Sequence, residues 1–271
     1  MDNRPIGVFD SGLGGLTAVQ KLMETLPNED IIYLGDTGRV PYGGRSRETI
    51  IKYARQDIAF LTSFDIKAIV IACGTVSTTA LGEIEKDYDI PIVGVVRPAV
   101  ERAVQVTKNK RIGLIGTVAS INSGAYDKLI LQRLPEAEIF SAACPLLVPL
   151  VENGRISRGD IMIETAVSEY LAPIKARKVD TLILGCTHYP LIGDVIGDYM
   201  GEGVTLVSPG AETAAYVEQL LKKNDISAEK GRRAAHRYFV TDSIEGFSNA
   251  ASLFLNQDVR GEVSKVDLNS F

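Results

Sequence analysis

The chain alternates two hydrophobic rhythms. Short, nearly continuous apolar runs stand at Ile6–Phe9, Ile31–Leu34, Ala68–Ala72, Ile92–Val96, Ile112–Ile115 and Leu182–Leu184. Between them apolar residues recur every three or four positions, as in Leu16, Val19, Leu22, Met23 and Leu26, or Ile50, Ile51, Ala54, Ile58 and Leu61. The first pattern reads as strands buried on both faces and the second as helices laid over them. The spacing therefore predicts an α/β fold with mostly parallel sheets. Helices are expected over Leu16–Leu26, from Ser46 to Leu61, over Ser77–Tyr88, from Arg97-Pro98 to Thr107, and over Ser157–Lys175, Leu191–Met200, Ala211–Lys222 and Ser243–Leu255. Ser46 followed by Glu48 is a favourable helix start. Further strands are expected at Glu138–Ala143, Thr205–Val207 and Tyr238–Thr241, with a polar surface loop over Asn224–Arg233.

The pattern starts twice. Arg111-Ile112-Gly113 echoes Arg4-Pro5-Ile6-Gly7, an offset of 106 from Gly7 to Gly113. One apolar run ends in Cys73-Gly74-Thr75 and a later one in Cys186-Thr187-His188, an offset of 113 from Cys73 to Cys186. Two pseudo-equivalent α/β domains are expected, one of residues 1–97 plus 209–271 carrying Cys73 and one of residues 98–208 carrying Cys186. Arg97-Pro98 marks the crossing out and Ser208-Pro209-Gly210 the return. Two such domains place their strand ends face to face across a cleft, a common ligand position.

Bulk composition narrows the function classes. The 271 residues suffice for two modest domains, and 45% hydrophobic with 23% charged residues is ordinary for a globular chain. With 34 acidic against 29 basic residues the formal charge is −5, which argues against nucleic acid or an anionic membrane surface as the main partner. No apolar stretch approaches the roughly 20 residues that span a bilayer. Met1-Asp2-Asn3-Arg4-Pro5 leads straight into a strand without the features of a secretory signal, so a cytoplasmic setting is expected. There the cysteines Cys73, Cys144 and Cys186 are expected as thiols. Without a CxxC, and with two histidines in all, no metal site is expected.

The candidate chemistry lies at the strand ends. Asp10-Ser11-Gly12-Leu13-Gly14-Gly15 departs from a dinucleotide fingerprint, because Thr17 stands where the third glycine belongs, and no Gly-Lys-Ser/Thr follows for a phosphate loop. It reads as a tight strand-to-helix turn presenting Asp10 and Ser11 to the cleft, with plain helix capping by Asp10 as the alternative. Pro41-Tyr42-Gly43-Gly44 is either turn chemistry or a ligand-covering loop. Cys144, before a proline, reads as a buried structural thiol, and Glu152 on its own as a solvated residue. Two core cysteines are common in any fold. A matched pair on opposite walls of a cleft suits one task, taking a proton from one face of a carbon and returning one to the other: racemisation or epimerisation. A thiol titrates ordinarily near about 8.5, within tuning range of neutrality. Asp10 near one thiol and His188 near the other are placed to tune them. A soft metal site needs more ligands than His188 alone, and a Cys–His hydrolase needs one cysteine rather than two.

Taken in order, Asp10-Ser11-Gly12-Leu13-Gly14-Gly15, Pro41-Tyr42-Gly43, Cys73-Gly74-Thr75, Val148-Pro149-Leu150-Val151-Glu152, Gly185-Cys186-Thr187-His188-Tyr189-Pro190 and Thr241-Asp242-Ser243 resemble the bacterial glutamate racemases over nearly the whole chain. The resemblance implies two α/β domains with the active site between them. It implies cofactor-independent interconversion of L- and D-glutamate for peptidoglycan synthesis, usually by a homodimer. It also implies Cys73 and Cys186 as the two acid/bases, assisted by Asp10, Glu152 and His188, and substrate contacts from Asp10, Ser11, Tyr42, Gly43, Gly74, Thr75, Thr117, Thr187 and His188. Two positions depart from the family pattern. Gly74 stands where asparagine is usual, removing a side-chain donor and acceptor, and Ser120 stands where threonine is frequent. His188 after Cys186-Thr187 favours the glutamate branch over the aspartate racemases.

Overall fold

A computed structural model of the chain describes residues 1–255, 259 and 261–271. Among these, the strands are β1 (Ile6–Asp10), β2 (Ile31–Gly35), β3 (Ala68–Ile71), β4 (Ile92–Gly94), β5 (Arg111–Gly116), β6 (Glu138–Ala143), β7 (Thr181–Gly185), β8 (Thr205–Val207), β9 (His236–Val240) and β10 (Val263–Lys265). The helices are α1 (Leu16–Thr25), α2 (Arg47–Thr62), α3 (Gly74–Thr79), α4 (Leu81–Ile84), α5 (Val96–Val106), α6 (Val118–Asn122), α7 (Ala125–Arg133), α8 (Leu147–Glu152), α9 (Ile161–Lys175), α10 (Gly193–Met200), α11 (Pro209–Lys223) and α12 (Ile244–Leu255). No helix among the described residues is long and apolar enough to cross a membrane.

The apolar runs fold as their burial demands. β1, β2, β3 and β7 are buried along their whole length, because helices cover both faces of each sheet. One sheet runs β10-β9-β2-β1-β3-β4 and the other β6-β5-β7-β8, with every described pairing parallel. The order β2-β1-β3-β4 is thus repeated as β6-β5-β7-β8. Register is repeated with it: Ile6 faces Ala68, and Ile112 faces Thr181, positions shifted by the same 106 and 113 that relate the two sequence echoes. Cys73 and Cys186 therefore occupy one station, just past the carboxyl ends of β3 and β7. The molecule has two α/β domains, the first enlarged by β9, β10 and α12 from the C-terminal segment.

Several elements differ from the expected ones for local reasons. The helix expected over Ser77–Tyr88 is divided into α3, α4 and a 3₁₀ turn at Glu85–Asp87, and α3 already begins at Gly74. Ser77 Oγ donates to the Ile71 carbonyl (3.1 Å) and accepts from the Val95 N–H (3.2 Å), and Thr78 Oγ1 donates to the Gly74 carbonyl (3.0 Å). These hydroxyls compete with the helical ladder and tie α3 to β3 and to the start of α5. α9 starts at Ile161 rather than Ser157, since Gly159 takes a left-handed φ of 81° and Asp160 caps the Met162 N–H at 3.0 Å. α5 starts at Val96 with Pro98 inside its first turn, where a missing N–H leaves no bond unmade. Its Val96, Ala99, Val100 and Ala103 pack with Ile112, Leu114 and Ile183 of the second sheet. β10 was not expected, because three residues with exposed Ser264 and Lys265 form no apolar run. A buried ion pair, Lys67 Nζ to Glu29 Oε2 at 2.5 Å, ties the entry to β3 to the start of β2. Lys67 Nζ also donates to the carbonyls of Asp2 (2.6 Å) and Ile226 (2.7 Å).

Candidate active site

Parallel strands gather their carboxyl ends on one side, and the ends of β1, β3, β5 and β7 open into a single cavity of about 420 Å3 between the sheets. It is lined by Asp10, Ser11, Tyr42, Gly43, Cys73, Gly74, Thr75, Thr117, Glu152, Cys186, Thr187 and His188, so the residues singled out in the sequence are brought together. Val40, Pro145, Val148 and Pro149 add an apolar wall.

Cys73 is the residue on which α3 starts, and its side chain is 4% exposed. The thiol donates to Ser11 Oγ at 3.5 Å. Burial pushes the thiol up to about 12, the nearby Asp10 carboxylate adds to that, and Ser11 opposes it. Asp10 Oδ2 accepts the N–H groups of Gly12 (3.1 Å) and Gly15 (3.0 Å). It therefore closes the turn before α1 and lines the cavity as well. Burial raises its carboxyl, while the His188 charge and those backbone donors pull it down.

Cys186 is 7% exposed, and its Sγ lies 3.7 Å from Nδ1 of His188. Nε2 of the same ring lies 3.0 Å from Glu152 Oε1, at the end of α8. Burial alone lowers the histidine, but its hydrogen bonds to Cys186 and Glu152 outweigh that and lift it to about 10. Sulfur, imidazole and carboxyl group thus follow one another in a chain of contacts. The ring edge rests against Phe254, with centroids 5.9 Å apart and planes at 86°.

The glycine-rich turn has a steric role. A Cβ on Gly14 would run into the Thr187 hydroxyl and come within 2.5 Å of His188 Nδ1. A Cβ on Gly15 would collide with Asp10. The glycines let α1 approach the Cys186 turn of the other domain, and Thr17 Oγ1 seals the contact by donating to the Thr187 carbonyl at 2.8 Å.

Hydroxyls bridge the cleft on another side. Thr75 Oγ1 lies 3.3 Å from Thr117 Oγ1, which donates to Ser120 Oγ at 3.0 Å and caps α6 through the Ser120 N–H at 3.2 Å. A Cβ on Gly74 would stand 3.1 Å from the Gly185 carbonyl and 3.9 Å from Ser120 Oγ. The place of the missing side chain is thus bounded by the opposite strand end and a hydroxyl. Pro41–Gly44 lines the cavity, with Tyr42–Gly44 forming a 3₁₀ turn. The Tyr42 ring is buried and its hydroxyl is held by the carboxyl groups of Asp36 and Asp57. Cys144, buried as expected, donates to the Ala142 carbonyl at 3.6 Å and is pushed up to about 12, chiefly by burial. It also forms part of the cavity wall.

Sequence reading passed over Asp36 and Asp57, both without solvent exposure behind the Tyr42 turn. The signal for Asp57 is positional: it lies three residues after Ala54 and four before Leu61, on the apolar stripe of α2.

The chain is similar to known proteins over nearly its whole length. The profile of the Asp/Glu/Hydantoin racemase family matches residues 11–217. The glutamate racemase of Geobacter metallireducens is 42% identical over 267 residues, 98% of either chain. That of Lactococcus lactis subsp. lactis is 44% identical over 256 residues, 94% of this chain and 93% of its own. Among solved structures, a glutamate racemase isoform from Bacillus anthracis superposes with a TM-score of 0.94 at 37% identity, covering 99% of both chains. The glutamate racemase of Francisella tularensis in complex with D-glutamate gives 0.91 at 38% identity, with 100% of both chains covered. The chain belongs to the Asp/Glu/Hydantoin racemase family, and the enzyme is a racemase.

Proposed function

We propose that this racemase interconverts L- and D-glutamate without a cofactor, passing protons between the substrate α-carbon and two thiols, Cys73 and Cys186. The observation that carries the reading is the pair of buried thiols at equivalent strand ends on the wall of one cavity. Glutamate as substrate is supported by the relatives, which are glutamate racemases, and by the Francisella neighbour, which is in complex with D-glutamate.

The two thiols differ in setting. Burial favours the neutral thiol at Cys73. At Cys186 the sulfur lies 3.7 Å from the ring of His188, and Glu152 keeps that ring oriented and protonated. The Cys186 thiolate takes the α-proton from one face of the substrate. The electron pair left on carbon delocalises into the α-carboxylate, and the Cys73 thiol delivers its proton to the opposite face. Turnover leaves Cys186 protonated and Cys73 as thiolate, the state that runs the reverse reaction, and exchange with water restores the first state. Asp10 beside Cys73 assists that thiol as His188 and Glu152 assist the other. Ser11, Tyr42, Gly43, Gly74, Thr75, Thr117 and Thr187, with Asp10 and His188, bind the substrate. The hydroxyls of Thr75, Thr117 and Ser120 are suited to its carboxylates. In this reading the domains comprise residues 1–97 with 209–271 and residues 98–208. A homodimer in the cytoplasm supplies D-glutamate for peptidoglycan.

The test is optical. Purified enzyme without added cofactor is expected to bring the circular dichroism of L-glutamate, and equally of D-glutamate, to zero. Loss of signal with aspartate or a hydantoin, and none with glutamate, overturns the substrate assignment.

A further inference from the structure

Behind the Tyr42 turn lies a buried cluster that the chemistry above does not use. Asp36 follows β2, and its N–H donates to the Asp10 carbonyl at 3.0 Å. Its Oδ1 accepts from Thr241 Oγ1 at 2.9 Å, and its Oδ2 accepts from Arg39 Nε and from the Tyr42 hydroxyl. Asp57, on the core face of α2, receives Arg39 Nη2 on Oδ1 at 2.8 Å, and its Oδ2 lies 3.1 Å from the Tyr42 oxygen. Arg39 is completed by Gln56 Oε1 at 2.6 Å and lies over the Tyr53 ring at 4.2 Å. Two unexposed acids thus share one arginine.

A proton count decides their states. The Tyr42 hydroxyl has one proton and two carboxylate oxygens within reach. An ionised carboxylate only accepts, so one hydroxyl proton cannot satisfy both. If both acids were ionised, Asp57 Oδ2 would face the phenolic lone pairs without a donor, in a place water does not reach. Asp36 already accepts from three donors, which suits the ionised partner. The missing proton therefore belongs on Asp57 Oδ2. The cluster of Arg39, Asp36 and Asp57 is then electrically neutral, as a buried group of charges favours.

We propose that Asp57 is held as a neutral carboxylic acid whose Oδ2–H donates to the Tyr42 hydroxyl, and that it is a positioning residue fixing the Tyr42–Gly44 turn against the cleft. The proton chain runs from Asp57 through Tyr42 to Asp36. It braces the turn from behind, while in front Gly43 packs toward Thr117, 3.5 Å from where a Gly43 Cβ would stand. The electrostatics agree: burial first, then the Asp36 charge, push the Asp57 carboxyl well above the usual carboxylate range, against the pull of Arg39 and Tyr42. The groups facing Asp57 are Asp36, Arg39, Tyr42 and, farther off, Asp10.

The kinetic part of the test rests on the cleft being the substrate site, whereas the spectroscopic part does not. The infrared difference between wild type and Asp57→Asn at neutral pH, without substrate, is expected to show a protonated carboxylic-acid carbonyl band that the variant lacks. An amide nitrogen at position 57 donates to Tyr42 as the acid does, so Asp57→Asn is expected to keep KM and kcat within about twofold. Asp57→Ala removes the donor and is expected to raise KM about tenfold with a smaller change in kcat. Absence of the acid band, or equal losses in the Asn and Ala variants, overturns the proposal. Should the Ala variant fail to fold, the band and the Asn kinetics decide alone. An inactive wild type that still shows the band would contradict the cleft reading and leave the protonated Asp57 standing.

Discussion

A histidine clamped between a sulfur and a carboxylate keeps its proton far into the alkaline range. His188 is raised from 6.5 to about 10, so its contribution to folding is fully present below 6.5 and disappears as pH climbs through about 10. The stability advantage of wild type over His188→Asn, measured by denaturant melts across pH, is therefore expected to be largest at mildly acidic pH and to shrink steadily up to about 10. A constant difference across that window would contradict the assigned partners. Replacing either Cys73 or Cys186 by alanine is expected to lower racemisation by at least about a hundredfold while leaving the melting profile intact. Loss in one variant and full activity in the other would leave a single base. At this scale the sequence was readable where chemistry stands at a strand end, as with Cys73, Cys186 and His188. Glu152 was not readable by itself, because its partner lies 36 positions away and is supplied by the fold. Asp36 and Asp57 were missed because a carboxylate in a sequence reads as solvated, and its burial with Arg39 is a tertiary fact.

Elements carry the spacing between these groups. The strands other than β10 were legible to within a residue or two, since continuous Val and Ile runs suit doubly covered parallel sheets. Helix starts were less so. The hydroxyls of Ser77 and Thr78 divide the helix after Cys73, and Gly159 delays α9, both through local hydrogen bonding or backbone geometry that periodicity does not register. The turn before α1 was legible as a tight strand-to-helix turn, yet the reason for its glycines needed the second domain, since Gly14 abuts Thr187 and His188 across the interface. Gly14→Ala is accordingly expected to destabilise the fold by about 1–3 kcal/mol by overpacking. Moving the Cys186–His188 turn is expected to cost roughly a hundredfold in kcat/KM. Thermal melts and steady-state kinetics check both. Unchanged activity in Gly14→Ala would show that the turn does not set the position of His188.

At the scale of the whole molecule the internal duplication is the organising fact. Offsets of 106 and 113 in the sequence reappear as equal registers in the two sheets, and that equality sets the two thiols at matching stations. The C-terminal additions to the first sheet were only partly legible, because β10 has too few apolar residues to announce itself. The first domain is tied together by the Lys67–Glu29 pair, remote from the cavity. Lys67→Met leaves Glu29 buried without its cation and is expected to lose about 3–5 kcal/mol of stability. Adding Glu29→Gln, which still accepts from the Ala228 N–H, is expected to recover part of it, with kinetic constants unchanged in both variants. No recovery in the double variant would mean that the carbonyl contacts of Lys67, rather than the ion pair, hold this corner. The central claim is that two sulfurs serve opposite faces of one carbon, and an isotope measurement at early turnover in deuterated water tests it most directly. Starting from protiated L-glutamate, the D-glutamate formed is predicted to carry deuterium at the α-carbon while the remaining L-glutamate stays protiated. Deuterium entering recovered substrate as fast as product, or product keeping the original hydrogen, would contradict the account.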